Sequence, residues 1–249
     1  MSVFEHIGFL DAGERRALLS VADLTRGLPV LDVGVGTGRT TALLRLLTSD
    51  YRAVDYSPGM VEEFKKNFPS LRATVGDARD LADVADASYA LVLFSNNAID
   101  AVPHSDRVAV LDEFARVTRP DGYVVFSTLR RGGASYRETP VMFSRRGDAS
   151  LVDLTIHNLR TMRHPGYIRN WLRGRRKAHD HIGWAVGPLA AHGFTLVVHF
   201  TTYGDLVSLL SHSGLVAVTI YDNHGHVIDS EDSCADSGNF TVVARRRAT

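Results

Sequence analysis

Along the first half of the chain, short apolar runs alternate with stretches in which apolar residues recur every three or four positions. Residues 11–26, "DAGERRALLSVADLTR", place Leu18, Leu19 and Ala22 on one helical face, with acidic residues early and Arg26 late, as a helix dipole favours. "LPVLDV" (28–33) reads as a buried strand, and "TGRTTALLRLLTS" as the helix after it. "YRAVDY" (51–56) is a second strand, after which Ser57 and Pro58 supply a cap and a first-turn proline for "GMVEEFKKNF". "LRATVGD" (71–77) and the almost wholly apolar "YALVLFS" (89–95) are the third and fourth strands. Leu111, Phe114 and Val117 share a helical face that Pro120 and Gly122 end, and "YVVFSTL" (123–129) is the fifth strand. Apolar strands alternating with amphipathic helices predict a mostly parallel sheet covered on both faces.

After residue 129 the rhythm breaks, and it returns near the end of the chain. "GDLVSLLSHSG" reads as a helix, and "LVAVTIYD" and "NFTVVARRR" as strands close enough to pair as an antiparallel edge hairpin. The organisation expected is therefore three segments: an N-terminal helix and core over 1–129, an insertion over 130–202, and a completing helix and hairpin over 203–249. Net charge is zero, yet 130–202 carries 12 basic and 4 acidic residues and six of the eleven histidines. No apolar run is long enough for a membrane span, and the N-terminus has no export signal. The single cysteine, Cys234, fits a reducing, cytoplasmic setting.

"VLDVGVGTGRT" (30–40) turns from strand to helix through Gly34, Gly36 and Gly38. Such a turn lets a ligand lie against the main chain and offers helix N–H groups to its negative end. A dinucleotide fingerprint would need glycine or alanine where this chain has Arg39. The second strand ends in Asp55, suited to ribose hydroxyls, and the third in Gly76-Asp77-Ala78, suited to an adenine edge. These groups fall at the carboxyl ends of adjacent parallel strands, where open α/β sheets bind ligands.

Residues 28–129 resemble class I S-adenosylmethionine-dependent methyltransferases, through "VLDVGVGTG", "AVDYSPGM", "GDARDL", "LVLFSNNAID" and "VLDEFARVTRPDGYVVFST". Where the family reads Pro-Gly-Gly this chain has Pro120-Asp121-Gly122, a change that a turn accepts. The resemblance implies an α/β, three-layer Rossmann-like fold: a seven-stranded sheet, mostly parallel, with an antiparallel C-terminal edge hairpin and here an inserted lid. It implies S-adenosyl-L-methionine as cofactor, with Gly34, Gly36 and Gly38 beneath the methionine part and Asp32 orienting its amino group. Asp55 would hold the ribose, Tyr56 and Met60 would pack near the adenine, and Asp77 and Ala78 would meet its edge. Ser95 and Asn96 would line the methionine side.

Methyl transfer needs alignment; a phenol or alcohol acceptor also needs its proton taken, whereas a carboxylate acceptor needs only positioning. Candidate catalytic residues are His199 on the probable strand "FTLVVHFTT", His6 in the N-terminal stretch, and Asn96 after the fourth strand. Phe9, Asn97, Asp100, Tyr136, His157, Tyr167 and His192 are further residues placed to matter. The insertion is expected to recognise the acceptor, with the arginines of "YIRNWLRGRRKAHDH" (167–181) attracting a carboxylate or phosphate or forming a solvated face. The predicted partner is a small molecule, an acidic metabolite or natural product, methylated at oxygen or nitrogen. No membrane partner is expected, and a neutral total charge favours a small molecule over nucleic acid. The alternatives are an RNA methyltransferase and a protein that binds the cofactor without turnover. "HDH" (179–181) and "DNHGH" (222–226) contain ligand types without the spacing of a familiar zinc site, so no metal is expected there. Oligomeric state is left open.

Overall fold

The computed structural model describes residues 9–140, 155, 156, 159, 164, 166–234 and 237–247. Helix α1 (Ala12–Thr25) leads into β1 (Val30–Val33), α2 (Thr41–Leu47), β2 (Tyr51–Asp55), α3 (Pro58–Asn67), β3 (Arg72–Val75), β4 (Tyr89–Phe94), α4 (Arg107–Val117) and β5 (Thr118–Leu129). The inserted segment contributes α5 (Gly166–Arg175) and strands β6 (His179–Asp180), β7 (Trp184–Pro188) and β8 (Val197–Thr201). Helix α6 (Tyr203–Ser211) and strands β9 (Leu215–Asp222), β10 (Val227–Ile228) and β11 (Asn239–Arg246) complete the described chain.

The main sheet runs β10-β9-β11-β5-β4-β1-β2-β3. Strands β1 to β5 pair in parallel, and β11 pairs antiparallel with both β5 and β9. Seven of these strands match the expected sheet; the eighth, the two-residue β10, hairpins onto β9 and takes the outer edge. Strand β5 begins at Thr118, earlier than its pattern suggested. Its register against β4 slips between Tyr89 and Leu91, so residues 119–122 bulge out where Pro120 has no N–H to give.

Side chains alternate across a strand, and that period sorts the core into two faces. Leu31, Val33, Val92, Phe94, Val124 and Phe126 face Phe114 of α4 and Leu206 of α6. Val30, Ala53, Leu91, Leu93 and Val125 face Leu18 of α1, Leu44 of α2 and Phe64 of α3. The three layers follow from this period. Local caps agree: Asp11 accepts from the Glu14 N–H at 2.8 Å, and Ser57 from the Met60 N–H ahead of Pro58.

Strands β6, β7 and β8 form a separate antiparallel sheet, joined to the core where Thr201 bridges Arg130 beyond β5. Its strand β8 is the one whose alternation the sequence revealed. The order reverses on either side of β1, and the site lies at this switch point, outside the carboxyl ends of the strands.

Candidate functional site

A cavity of about 720 Å³ opens at the tips of β1, β2, β3 and β4. Gly34 and Gly36 form part of its floor, with Asp55 and Tyr56 from the end of β2, Met60 from α3 and Asp77 with Ala78 after β3. A Cβ on Gly36 would meet nothing within 4 Å, so this main chain borders open space; its φ of 58° is left-handed. Asp55 accepts from the Gly36 N–H at 2.7 Å and the Ser57 N–H at 2.8 Å, which aims its carboxylate along the floor. Arg79 grips Asp77 from Nη2 at 2.7 Å and reaches Asp106 with Nη1 at 2.6 Å. That contact holds the Asp77 carboxyl below its usual range, so it stands ready as an acceptor.

A second cavity of about 230 Å³ shares Gly34, Gly36, Ser95 and Asn96 with the first. Glu14 and Arg39 define it. The two meet side by side, at 2.8 and 2.9 Å, and both are largely buried. Arg39 also donates to Ser95 Oγ at 3.0 Å, and the Asn96 N–H donates to Glu14 at 2.9 Å. Helix α1, the glycine turn and the end of β4 are thus tied together by one ion pair.

The far side of the large cavity is apolar. Leu129, Leu189, Leu196 and Val198 line it, with Ala101, Val102 and Pro103 after β4. Among the described residues, His192 is the titratable side chain on this wall, and burial lowers its pKa. Ser135 adds a hydroxyl to the same cavity lining.

Most expected cofactor residues therefore meet at one cavity: Gly34, Gly36, Asp55, Tyr56, Met60, Asp77, Ala78, Ser95 and Asn96. Four expectations are corrected. Asp32 is buried beneath the turn, accepting from Thr40 Oγ1 at 2.8 Å and Tyr51 Oη at 2.9 Å, and burial raises its pKa to about 6 despite those bonds. Gly38 is required by packing, since a Cβ there would lie 2.2 Å from the Phe68 ring. Asp100 is sealed under β5, bound by Arg107 at 2.9 Å, Thr128 at 2.6 Å and the Leu129 N–H at 2.6 Å; burial raises its pKa to about 6 against the pull of Arg107.

His199 is the fourth. On β8 its neighbour Val198 faces the cavity, so His199 points the other way, 2% exposed, with Nε2 3.0 Å from His104 Nδ1. Burial first, then Arg107, His104 and His179, drive its pKa down to about 2, so it cannot serve as a proton acceptor at the reacting centre. His6 and His157 lie outside the described residues. Asn96 stays at the site, in left-handed backbone with φ 56°. Arg169 and Arg173 of α5 and Arg176 just after it border a separate surface hollow instead of the cavity. The pairings of Glu14 with Arg39 and of Arg79 with Asp106 have no local sequence signal, because the partners lie far apart in the chain.

A switch-point cavity over a glycine turn, with carboxylates on the next two strand tips, defines a nucleoside-binding α/β protein. Comparison with known proteins narrows this. Residues 30–122 match the family model described as a methyltransferase domain. A demethylmenaquinone methyltransferase of Beutenbergia cavernae is 40% identical over 117 residues, 46% of this chain and 47% of that protein. A malonyl-[acyl-carrier protein] O-methyltransferase of Yersinia pestis is 36% identical over 115 residues, 46% of this chain and 42% of the relative. The matches thus span about half the length of these curated relatives. In fold, the chain is similar to the CcbJ methyltransferase of Streptomyces caelestis, with TM-score 0.62 and 18% identity over 96% of this chain and 91% of that one. Residues 30–122 thus form a methyltransferase domain of the class I, S-adenosylmethionine-dependent kind, with S-adenosylmethionine as that domain's cofactor. The residues present fit it: two joined cavities, one edged by carboxylates for a nucleoside, the other by a carboxylate and a guanidinium for an amino-acid tail. Among the described residues no helix is long and apolar enough to cross a membrane.

Proposed function

We propose that this protein transfers a methyl group from S-adenosylmethionine to an oxygen or nitrogen of a small molecule with a largely apolar body. The observation that carries this reading is the single cavity that is acidic at the strand tips and apolar beneath β8. The sulfonium of the bound cofactor supplies an activated methyl group, which leaves alignment and exclusion of water to the protein.

In this reading Asp55 accepts the ribose hydroxyls while its main-chain bonds to Gly36 and Ser57 keep it oriented. Asp77 and Ala78 meet the adenine edge, and Tyr56 with Met60 cover the ring. Glu14 and Arg39 face the ammonium and carboxylate of the methionine tail, with Ser95 and Asn96 beside them. The apolar wall holds the acceptor, and His192 takes the proton that a hydroxyl or amine releases on methylation. Its lowered pKa keeps the imidazole unprotonated at neutral pH, the state a base requires. An acceptor already ionised, such as a carboxylate, needs no such group.

Calorimetry with S-adenosylhomocysteine tests the cofactor half, and no binding by the intact chain would end the proposal. Transfer of a radiolabelled methyl group tests the acceptor half. The matched relatives act on demethylmenaquinone and malonyl-[acyl-carrier protein], and those classes head the screen. Binding without transfer to any small acceptor would leave a cofactor-binding protein without turnover.

A further inference from the structure

Behind the acceptor wall lies a cluster that methyl transfer does not use. His104 stands in the 3-10 turn after β4, His199 on β8, and Asp205 in the first turn of α6. One ligand-type atom from each lies within 4.8 Å of the others. His104 Nδ1 and His199 Nε2 face one another at 3.0 Å, with the two rings tilted by only 12°. Around a tetrahedral zinc ion with bonds of about 2.0–2.1 Å, ligand atoms stand roughly 3.3 Å apart, so the two imidazoles need open by only a few tenths of an ångström, while the Asp205 oxygen, held within 4.8 Å of both nitrogens, must move in to complete the site.

We propose that His104, His199 and Asp205 form a binding site for one divalent first-row transition metal of the zinc type, clamping the inserted sheet to the core. Two imidazoles and one carboxylate select such a metal over calcium or magnesium, which need oxygen-rich shells. His199 and Asp205 stand six residues apart on consecutive elements, but His104 comes 95 residues before His199, so no familiar zinc-site spacing appears along the chain.

The surroundings hold two of the three donors, Asp205 and His104, in place. Thr201 Oγ1 donates to Asp205 Oδ2 at 2.8 Å and fixes the carboxylate's rotation. Trp184 stacks flat on His104, ring centroids 4.0 Å apart, and His181 stacks on the opposite face of Trp184 at 4.0 Å. Arg107, a permanent cation felt at the cluster, is paired with Asp100 at 2.9 Å, which offsets part of its charge. His199 Nδ1 is buried without a hydrogen-bond partner, so Nε2 carries all the polar pairing of that ring. His104 is exposed, which gives the ion a path from solvent. The neighbours of two ligands, Pro103 and Val198, line the acceptor cavity, so the metal would brace that wall from outside and take no part at the reacting centre.

The test uses the full chain, stripped with a chelator and titrated with Co²⁺, then with Zn²⁺ in competition. The expected result is one equivalent of Co²⁺ with the strong visible absorption of a tetrahedral nitrogen and oxygen site, displaced by Zn²⁺. In a Trp171→Phe background Trp184 is the sole tryptophan, and its emission should be quenched as Co²⁺ fills the site. His104→Ala, at an exposed position, and Asp205→Asn should each weaken Co²⁺ binding at least tenfold. His179→Ala/His181→Ala, which removes the surface histidines, should leave it within threefold. Failure to bind one equivalent, unchanged affinity in both single variants, or loss only in the His179/His181 variant would each overturn the proposal. None of these readouts depends on methyl transfer, so the metal site and the proposed activity can fail separately.

Discussion

The two halves of the large cavity are built in opposite ways. The cofactor half is assembled from strand tips that follow each other along the sheet, so its residues come from short motifs in chain order. Its polar groups are held by main-chain bonds, as when Gly36 and Ser57 both donate to Asp55. The acceptor half is a patchwork: Leu129 ends β5, Leu189, His192 and Leu196 lie between β7 and β8, Val198 is on β8, and Val102 follows β4. There the lining is apolar, and packing does the positioning. One half can be specific through hydrogen bonds to a fixed ligand, whereas the other can be altered side chain by side chain without disturbing the first.

That contrast can be broken from either end. The largest expected effect is Asp55→Ala, which removes the ribose acceptor and leaves two N–H groups unpaired. With charge-assisted bonds contributing about 1.5–3 kcal/mol each, affinity for S-adenosylhomocysteine should fall by roughly two orders of magnitude or more, read by calorimetry. His192→Gln should lower turnover about 100-fold for a hydroxyl or amine acceptor, with cofactor affinity unchanged. In the wild type the acid limb of kcat/KM should lie below the ordinary histidine value, because burial lowers the His192 pKa, and that limb should vanish in the variant. If His192→Gln weakened the cofactor instead, the division into halves would be wrong.

Asp32 sharpens the same contrast from below the floor. Its folded pKa of about 6 lies above the ordinary 3.8, so the native state holds the proton longer than the unfolded chain does. The stability from that proton is fully present below pH 4 and is lost as pH rises through 6. Asp32→Asn, which does not titrate, should therefore gain on the wild type by about 3 kcal/mol across that window, measured by denaturant melts. The smallest effect belongs to Arg169→Gln/Arg173→Gln/Arg176→Gln. These side chains lie off the cavity, so small-molecule turnover should stay within twofold. A large loss, together with salt-dependent RNA binding by the wild type, would favour the RNA alternative.

Legibility followed the same line. Asp55 and Asp77 could be read from sequence because a strand tip fixes where a side chain points, and the strands were marked by unbroken apolar runs. Asp32 and Gly38 lay within a readable motif yet face inward: the motif marks the turn but does not say which side of it each group occupies. His199 was placed correctly on a strand, but alternation alone cannot tell the cavity side from the far side. Val198, its neighbour, has the cavity face. Glu14 with Arg39, and Arg79 with Asp106, needed contacts across 25 and 27 positions of chain, beyond any local pattern.

Strand β11 is the late-coming keystone of the main sheet. It lies between β5 and β9, which share no ladder of their own, and a chain synthesised only as far as residue 238 would expose two bare strand edges at once. Vectorial folding on the ribosome must therefore keep those edges from foreign partners until residues 239–246 emerge. A premature stop in the preceding acidic loop should yield aggregates instead of a trimmed enzyme.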